Sequence, residues 1–447
     1  MSEREPTLDQ VSVRRGGGVR ASWSLLRRNR DFRRVYLASM ISLGGDWFLL
    51  VALFSQVLDL THSPIAVALL LAAQDLPLFF LAPVGGALAD RLDRRRLMVA
   101  CDLLRAVICL GFLFVRSAAT VWVLYPLVLV LATCTAPFDP AAEAALPNLV
   151  DAADLATANA LTGSLWGTML AVGAALGGIV AAALGRDAAI AIDALSFAAS
   201  GLLIASVHRP FSERRGTEEK HPGVIEATLE TVSYAGKDHR VLALLAVKAG
   251  FGLGAGVLVL ISVFAKEVFG GGALAIGLLM ASRGVGALVG PFVGRAALGE
   301  GDRRLFAVIG AALGVFGVGY AALGFAPTLI VAMPFVAFAH LGGGAQWTLS
   351  SYGLQRIVPD RIRGRIFAFD GALITLTFGV SSVLTGLLAA WFGARPVATG
   401  LGLIGIAYAV VWTTLTTGVR RATMFDGCGP AEEPEAFLAA GTAVRPE

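Results

Sequence analysis

The sequence predicts an all-α integral membrane protein, with twelve transmembrane helices in two pseudo-symmetric halves of six. Three observations lead there: a composition suited to lipid, twelve long apolar runs, and a repeat relating the first six runs to the last six. Of 447 residues, 56% are hydrophobic and 15% charged, against about 25% charged in soluble proteins. With a mean hydropathy of +0.73, this excludes a soluble enzyme, a disordered scaffold and a disulfide-stapled secreted domain. The net charge of +4 points to no nucleic-acid partner, because the basic residues lie between apolar runs.

The runs fall near 35–58, 63–89, 97–116, 121–142, 158–183, 188–207, 241–265, 274–297, 305–324, 327–350, 370–391 and 396–417. Each is long enough to cross a hydrocarbon core as a helix, for which about 20 residues suffice. None shows the alternation of a barrel strand. An even count puts both termini on one side. The segments on that side hold 29 Lys and Arg; the opposite side holds four, Arg116, Arg186, Lys266 and Arg395. The positive-inside rule then makes both termini cytoplasmic, in the cell membrane of a bacterium. The expected organisation is an N-terminal tail (1–34), a first half (35–207), a cytoplasmic linker (208–240), a second half (241–417) and a C-terminal tail (418–447). The N-terminal tail has no secretory signal pattern.

The repeat supports this division. Pro83-Val-Gly-Gly86 leading to Arg95-Arg96-Leu97 is echoed by Pro291-Phe-Val-Gly294 leading to Arg303-Arg304-Leu305, each pair offset by 208 residues. Paired halves of this kind are a transporter pattern, with the binding site between them near mid-membrane. Cys101, Cys109, Cys134 and Cys428 form no C-x-x-C pair and the five histidines have no ligand spacing, so neither a metal nor a disulfide is expected. No phosphate loop is present, and neither an enzyme nor an ATP-driven pump is expected.

Between the second and third runs stands Gly86-Ala-Leu-Ala-Asp90-Arg91-Leu-Asp93-Arg94-Arg95-Arg96. This resembles the loop signature of the major facilitator superfamily, with Asp93 where many members have glycine. More of the chain is similar to one branch, the macrolide-efflux and enterobactin-exporter type of drug:proton antiporter. That likeness rests on Asn29-Arg30-Asp31-Phe32-Arg33, Gly44-Gly45-Asp46-Trp47-Phe48, Leu146-Pro147-Asn148-Leu149-Val150 and Val358-Pro359-Asp360-Arg361-Ile362-Arg363-Gly364-Arg365. The resemblance implies that Asp90 caps the start of the eleventh helix near Arg363 and Gly364 in an outward-open state, where a helix N-terminus favours a carboxylate. Arg91 and Arg94 would then pair with Asp139 or Glu143. The second copy carries Leu298 and Gly299 in place of Asp90 and Arg91, so gating should be asymmetric. Gly163, Gly167, Gly173, Gly177 and Gly178 resemble the antiporter motif of the fifth helix, although Ala174 replaces its proline. The same glycines serve tight helix packing, and Gly286 and Gly290 offer a small face on the eighth helix.

Ionisable groups inside spans cost about 2.5–3.5 kcal/mol each on insertion scales, so each is a functional candidate. Asp46 lies about 16 Å into the first helix. Asp75 is at similar depth on the second, Lys248 on the seventh and Arg283 on the eighth. Two acids of the first half are thus expected to face two bases of the second. A structural anchor is the rival reading for each, and His340 on the tenth helix is a further candidate for titration near neutral pH. Asp102 and Arg105, three apart, read as a local pair; Asp193 reads as packing.

Together with these features, the resemblance implies a proton-coupled exporter of small amphipathic compounds such as drugs, macrolides or siderophores. Two halves rock about a central site, with no cofactor beyond a proton or other ion gradient, in a monomer within the lipid bilayer. A uniporter or symporter of a small metabolite and a non-transporting membrane receptor stay open at this level. The layout is tested by labelling: cysteines introduced at Ser117 and Arg186 should react with an impermeant reagent added outside intact cells. One at Glu218 should react only after permeabilisation, and external labelling there overturns the layout.

Overall fold

The computed structural model describes residues 19–211, 224–254, 256–299 and 304–418; the side chains of Asp90, Asp360 and Arg361 are among those outside it. The rest of both tails and linker positions 212–223 lie outside the described residues. Two short helices carry no span: α1 (Val19–Arg28) ahead of the first, and α8 (Val224–Lys237) in the linker. The first half comprises α2 (Arg30–Thr61), α3 (Pro64–Arg91), α4 (Arg94–Gly111), α5 (Leu124–Leu149), α6 (Leu155–Ala183) and α7 (Arg186–Ala205). The second comprises α9 (His239–Leu253) with α10 (Val257–Val263), α11 (Ala273–Leu298), α12 (Leu305–Leu323), α13 (Leu329–Ile357), α14 (Asp360–Phe392) and α15 (Ala394–Leu415). Among the described residues, twelve helical segments are long and apolar enough to cross a membrane.

Three of the differences from the sequence expectation have a physical reason in the packing. Helix α5 continues past 142 to Leu149, through Pro137, Pro140 and Pro147. Phe138, Ala141, Ala145 and Leu149 keep a helical stripe buried there, which outweighs the falling hydropathy. Helix α14 begins ten residues early, at Asp360 after Pro359. Its charged first turn projects beyond the apolar slab while Ile362 and Ile366 stay buried. The seventh span is broken: α9 stops at Leu253 and α10 resumes at Val257, ending in a π-helical turn, Phe264–Val268. Side chains at Gly252 and Gly256 would overlap Thr377 and Thr385 of α14, so glycine there lets the span press against its neighbour. The backbone N–H freed at Gly256 donates to Ser381 Oγ at 3.0 Å, as a break inside lipid requires.

The residues that carried the family likeness near the N-terminus have a local role. Asn29 caps α2, its side chain accepting from the Phe32 N–H at 2.9 Å and donating to the Leu149 carbonyl at 2.8 Å. Asp31 accepts from the Arg209 N–H at 3.0 Å, tying the entry of the first half to its exit. Ahead of α9, burial alone would raise the Asp238 carboxyl, but bonds from Arg240 outweigh it and hold Asp238 below the usual carboxylate range.

The halves repeat each other's packing. Helix α3 lies on α5 as α11 lies on α13, and α4 lies on α7 as α12 lies on α15. Between halves, α6 meets α11 and α3 meets α14. Both contacts are tight at the end away from the chain termini and fade toward the end that bears them, called here the terminal face. A methyl at Gly178 would lie 2.9 Å from Gly277 Cα; one at Gly167 would reach only ordinary contact, 3.8 Å from Leu288; one at Gly163 would meet nothing within 4 Å. On α14 a side chain at Gly386 would overlap Ala68 and one at Gly379 would come 2.6 Å from Leu76, whereas Gly371 and Gly364 face open space. The halves therefore part toward the terminal face.

The glycines expected to pack do so, with partners the sequence did not assign. Gly173 and Gly177 press on Trp47 and Phe48 of α2, and only Gly178 of the three reaches α11. Gly286 and Gly290 meet Leu341 and Ala345 of α13, while the face of α11 that meets α6 is Gly277 and Gly284. Close backbone approach is what holds helices together where lipid removes the hydrophobic drive. Gly277→Val should therefore strain the far-end contact, a methyl there lying 2.6 Å from the Ala174 carbonyl and 2.8 Å from Gly178 Cα. Overpacking costs about 1–3 kcal/mol. Spin labels at Arg186 and Arg395, at the far ends of α7 and α15, should move apart in the variant; an unchanged distance distribution would count against the contact.

Candidate functional site

Lys248 sits nine residues into α9, and its Nζ donates to Asp370 of α14. Both side chains are buried, 4% and 2% exposed. The ammonium also faces the rings of Trp347 at 5.0 Å and Phe367 at 5.8 Å. The sequence expectation that Lys248 faces an acid of the first half is thus corrected: it is neutralised within its own half. Asp370 was missed because the eleventh span was begun at 370, which put it at a helix end. In the longer α14 it lies about 15 Å from the first residue, one turn on from Ile366 on the buried stripe. That spacing was the available signal.

Arg283 on α11 is 4% exposed, with its guanidinium 5.4 Å from the Trp166 ring and 6.0 Å from the Trp47 ring, both of the first half. Its Nε has no hydrogen-bond partner. Asp75 on α3, half-buried, lies within electrostatic reach of Arg283 of the other half. His340 stands apart from the cleft. It is 3% exposed, bonded through Nε2 to the Tyr320 hydroxyl at 2.6 Å and boxed edge-on by Phe251, Phe316 and Tyr320. The cavity position expected for it is corrected to an aromatic core position.

The first half concentrates carboxyls. Asp102 and Arg105 form the expected local ion pair at 2.8 Å, and Ser200 Oγ donates to Asp102 at 2.6 Å. Asp193, fully buried, accepts from Cys109 Sγ and Ser196 Oγ, each at 3.1 Å. Asp46 is half-buried in mid-α2 and makes no hydrogen bond or ion pair among the described residues. Asp139 and Glu143 on α5 are exposed. An exposed acid at membrane depth belongs to water rather than lipid, so Asp139 lines the space between the halves.

The loop between α3 and α4 is held by its own half. Asp93 caps α4, accepting from the Arg96 N–H at 2.8 Å. Arg94 is buried and donates to the carbonyls of Ala89 (3.2 Å), Ala144 (2.7 Å) and Phe211 (3.3 Å), and Arg95 donates to Val207 O at 2.7 Å. The expectation paired Arg94 with Asp139 or Glu143; its described contacts are with backbone carbonyls of α3, of α5 and of the segment after α7. Arg91 is exposed, and Gly86 faces open space. The Asp90 side chain lies outside the described residues. Across the gap, Arg363 donates to its own half at Val358 O. With Gln355, Gly364 and Phe367 it lines an open hollow of about 500 Å³ at the terminal face. At the opposite face Lys266 bridges the halves, donating to Ser55 O at 2.8 Å and pairing with Asp59. The sequence placed Lys266 on this side but assigned it no partner. Among the described residues no cluster could hold a metal ion.

Comparison with known proteins follows from this architecture. The family profile described as transmembrane secretion effector matches residues 20–422. The Bacillus subtilis MFS-type transporter YfiS is 26% identical over 47% of this chain and 50% of its own length, so the chain spans about half the length of that relative. Macrolide efflux protein A of Streptococcus pyogenes is 23% identical over 81% of this chain and 90% of its own. Multidrug efflux pump Tap of Mycolicibacterium fortuitum is 26% identical over 84% and 93%. Among solved structures, an inward-facing, unoccupied bacterial homologue of the human lysosomal transporter Spinster superposes with a TM-score of 0.68 at 14% identity, over 93% of this chain and 100% of that one. These structures establish the fold.

Lys248→Met alone leaves the Asp370 carboxylate buried without its cation, a loss of about 3–5 kcal/mol. The double variant Lys248→Met with Asp370→Leu removes both charges and should regain most of it. Thermal unfolding of the purified protein in detergent checks this, and a double variant no more stable than the single would mean the pair is not the reason for the loss.

Proposed function

The chain belongs to the transmembrane secretion effector family of the major facilitator superfamily, and on that premise we propose that it exports small amphipathic compounds of the drug, macrolide or siderophore type in exchange for protons. The observation that carries this reading is Asp46: a carboxyl in mid-membrane, half-buried, with no hydrogen bond or ion pair among the described residues. An ionisable group at this depth costs free energy to retain, which makes it a functional candidate. The cleft between the halves gives it water, and alternation of that cleft gives it water from each side in turn.

The excess of basic residues on the side of the termini makes the terminal face cytoplasmic. The cleft of this structure is then open to the cytoplasm, the side from which an exporter loads. Trp47 and Trp166 offer aromatic walls, and Asp75 and Arg283 set the charge facing the cargo. Likeness to macrolide efflux protein A and to multidrug efflux pump Tap supports export and an apolar cargo. A proton taken up by Asp46 from outside returns the emptied transporter, working as a monomer, to the loading state.

The test is transport in proteoliposomes under an imposed pH gradient, screened across macrolides, siderophores and lipophilic cations. Asp46→Asn, a permanent mimic of the protonated form, should abolish uphill accumulation while downhill exchange survives. Asp46→Glu should retain partial coupling. A well-folded Asp46→Asn protein that still concentrates cargo would make the assignment wrong, and loss of every transport mode together with abundance would mark Asp46 as a structural anchor.

A further inference from the structure

Four carboxyls of the first half, Asp46, Asp102, Asp139 and Asp193, lie within electrostatic reach of one guanidinium, Arg105. Arg105 is committed elsewhere. It is ion-paired to Asp102 at 2.8 Å, and its two faces are covered by the rings of Phe138 at 4.2 Å and Phe197 at 4.7 Å. Asp193 therefore has only neutral donors, Cys109 of α4 and Ser196 of its own helix. It is also pressed against α2: a side chain at Gly45 would overlap the Asp193 carboxylate and the Ser196 hydroxyl. Gly45 is the residue before Asp46. Asp193 therefore packs on α2 one residue before Asp46, and the two carboxyls lie within electrostatic reach of each other. The titratable or charged groups facing them are Asp102, Arg105 and Cys109 from α4 and Asp139 from α5.

We propose that Asp46 and Asp193 form a dyad holding a single proton, in which Asp193 stays ionised and its charge keeps the proton on Asp46. Two carboxylates in one low-dielectric site do not both ionise readily, so the pair releases its protons in separate steps that belong to the pair. Which acid keeps the proton follows from their partners. Asp193 accepts two hydrogen bonds, which stabilise its anion; Asp46 accepts none. On release, the Asp46 O–H bond breaks, the electron pair stays on the carboxylate, and the proton passes to water in the cleft. Asp193 is then a positioning residue: it sets the pH at which Asp46 lets go, and touches neither cargo nor bulk water. This rests on the reading of Asp46 as the coupling acid.

Infrared spectroscopy of the protein in proteoliposomes, following the carbonyl band of protonated carboxyls across pH 5 to 9 or so, decides it. The wild type should show a step that vanishes in Asp46→Asn. In Asp193→Asn the negative neighbour is gone, and the midpoint should fall by about one pH unit or more, a tenfold change in proton affinity. In Cys109→Ala the ionised Asp193 loses a donor and the midpoint should rise, while Cys109→Ser should stay near wild type. The pH profile of transport should move with the midpoint. An unchanged midpoint in folded Asp193→Asn overturns the dyad; if that variant does not fold, an unchanged or lowered midpoint in Cys109→Ala does so. An Asp46→Asn protein that still accumulates cargo uphill while its infrared step is lost would remove the coupling assignment and leave the dyad standing.

Discussion

Gly178 of α6 and Gly277 of α11 bring two backbones so close that a single methyl group at either would clash with the other. Gly386 of α14 against Ala68 of α3 repeats that contact at the pseudo-symmetric position. Much else follows from these two approaches. Lipid gives helices no hydrophobic reason to associate, so packing must supply it. It is supplied at one end of each cross-half pair and fades toward the other. A cleft open at the terminal face is the geometric result. The Lys266–Asp59 pair near the far rim, 16% and 59% exposed, adds little by comparison, since exposed pairs contribute about 0–1 kcal/mol.

Charge divides unequally between the halves. In the second half Lys248 is spent on Asp370, and His340 is locked to Tyr320 in an aromatic box. Arg283 reaches across, into the two tryptophans of the first half, as Lys266 does at the far rim. The first half carries more carboxyls than cations, with Asp46 and Asp75 free of hydrogen bonds among the described residues. A buried cation paired within its own half can move with that half without exposing a bare charge to lipid, and the excess of acids in the first half marks where protonation state has room to change.

The loops show the same asymmetry. In the first half Arg94 and Arg95 fasten the turn after α3 to carbonyls of Ala144, Phe211 and Val207. In the second, Leu298 is buried and Gly299 turns the chain at a φ of +71°, a conformation that costs glycine little. One loop is organised by charge and the other by backbone freedom. At the terminal face Gly86 beside the charged loop and Gly364 in the first turns of α14 both face open space.

The sequence by itself determined the class of fold, the number of spans and the division into halves. Each of those depends on local quantities: hydropathy over about 20 residues, the placement of arginine between runs, and a repeat with constant offset. It also placed Asp46, Asp75 and Arg283 at depth, because depth along a helix is a count of residues. Partners were another matter. Lys248 was matched to the wrong half, Asp370 was lost at a helix end drawn by hydropathy, and Gly286 and Gly290 were assigned a face that turned out to meet α13. Rotation about a helix axis and the neighbour on that side are not local quantities. A charged turn that projects beyond the lipid lowers hydropathy without ending the helix, so only the packed structure decides which buried acid meets which base, and which is left with water or a proton.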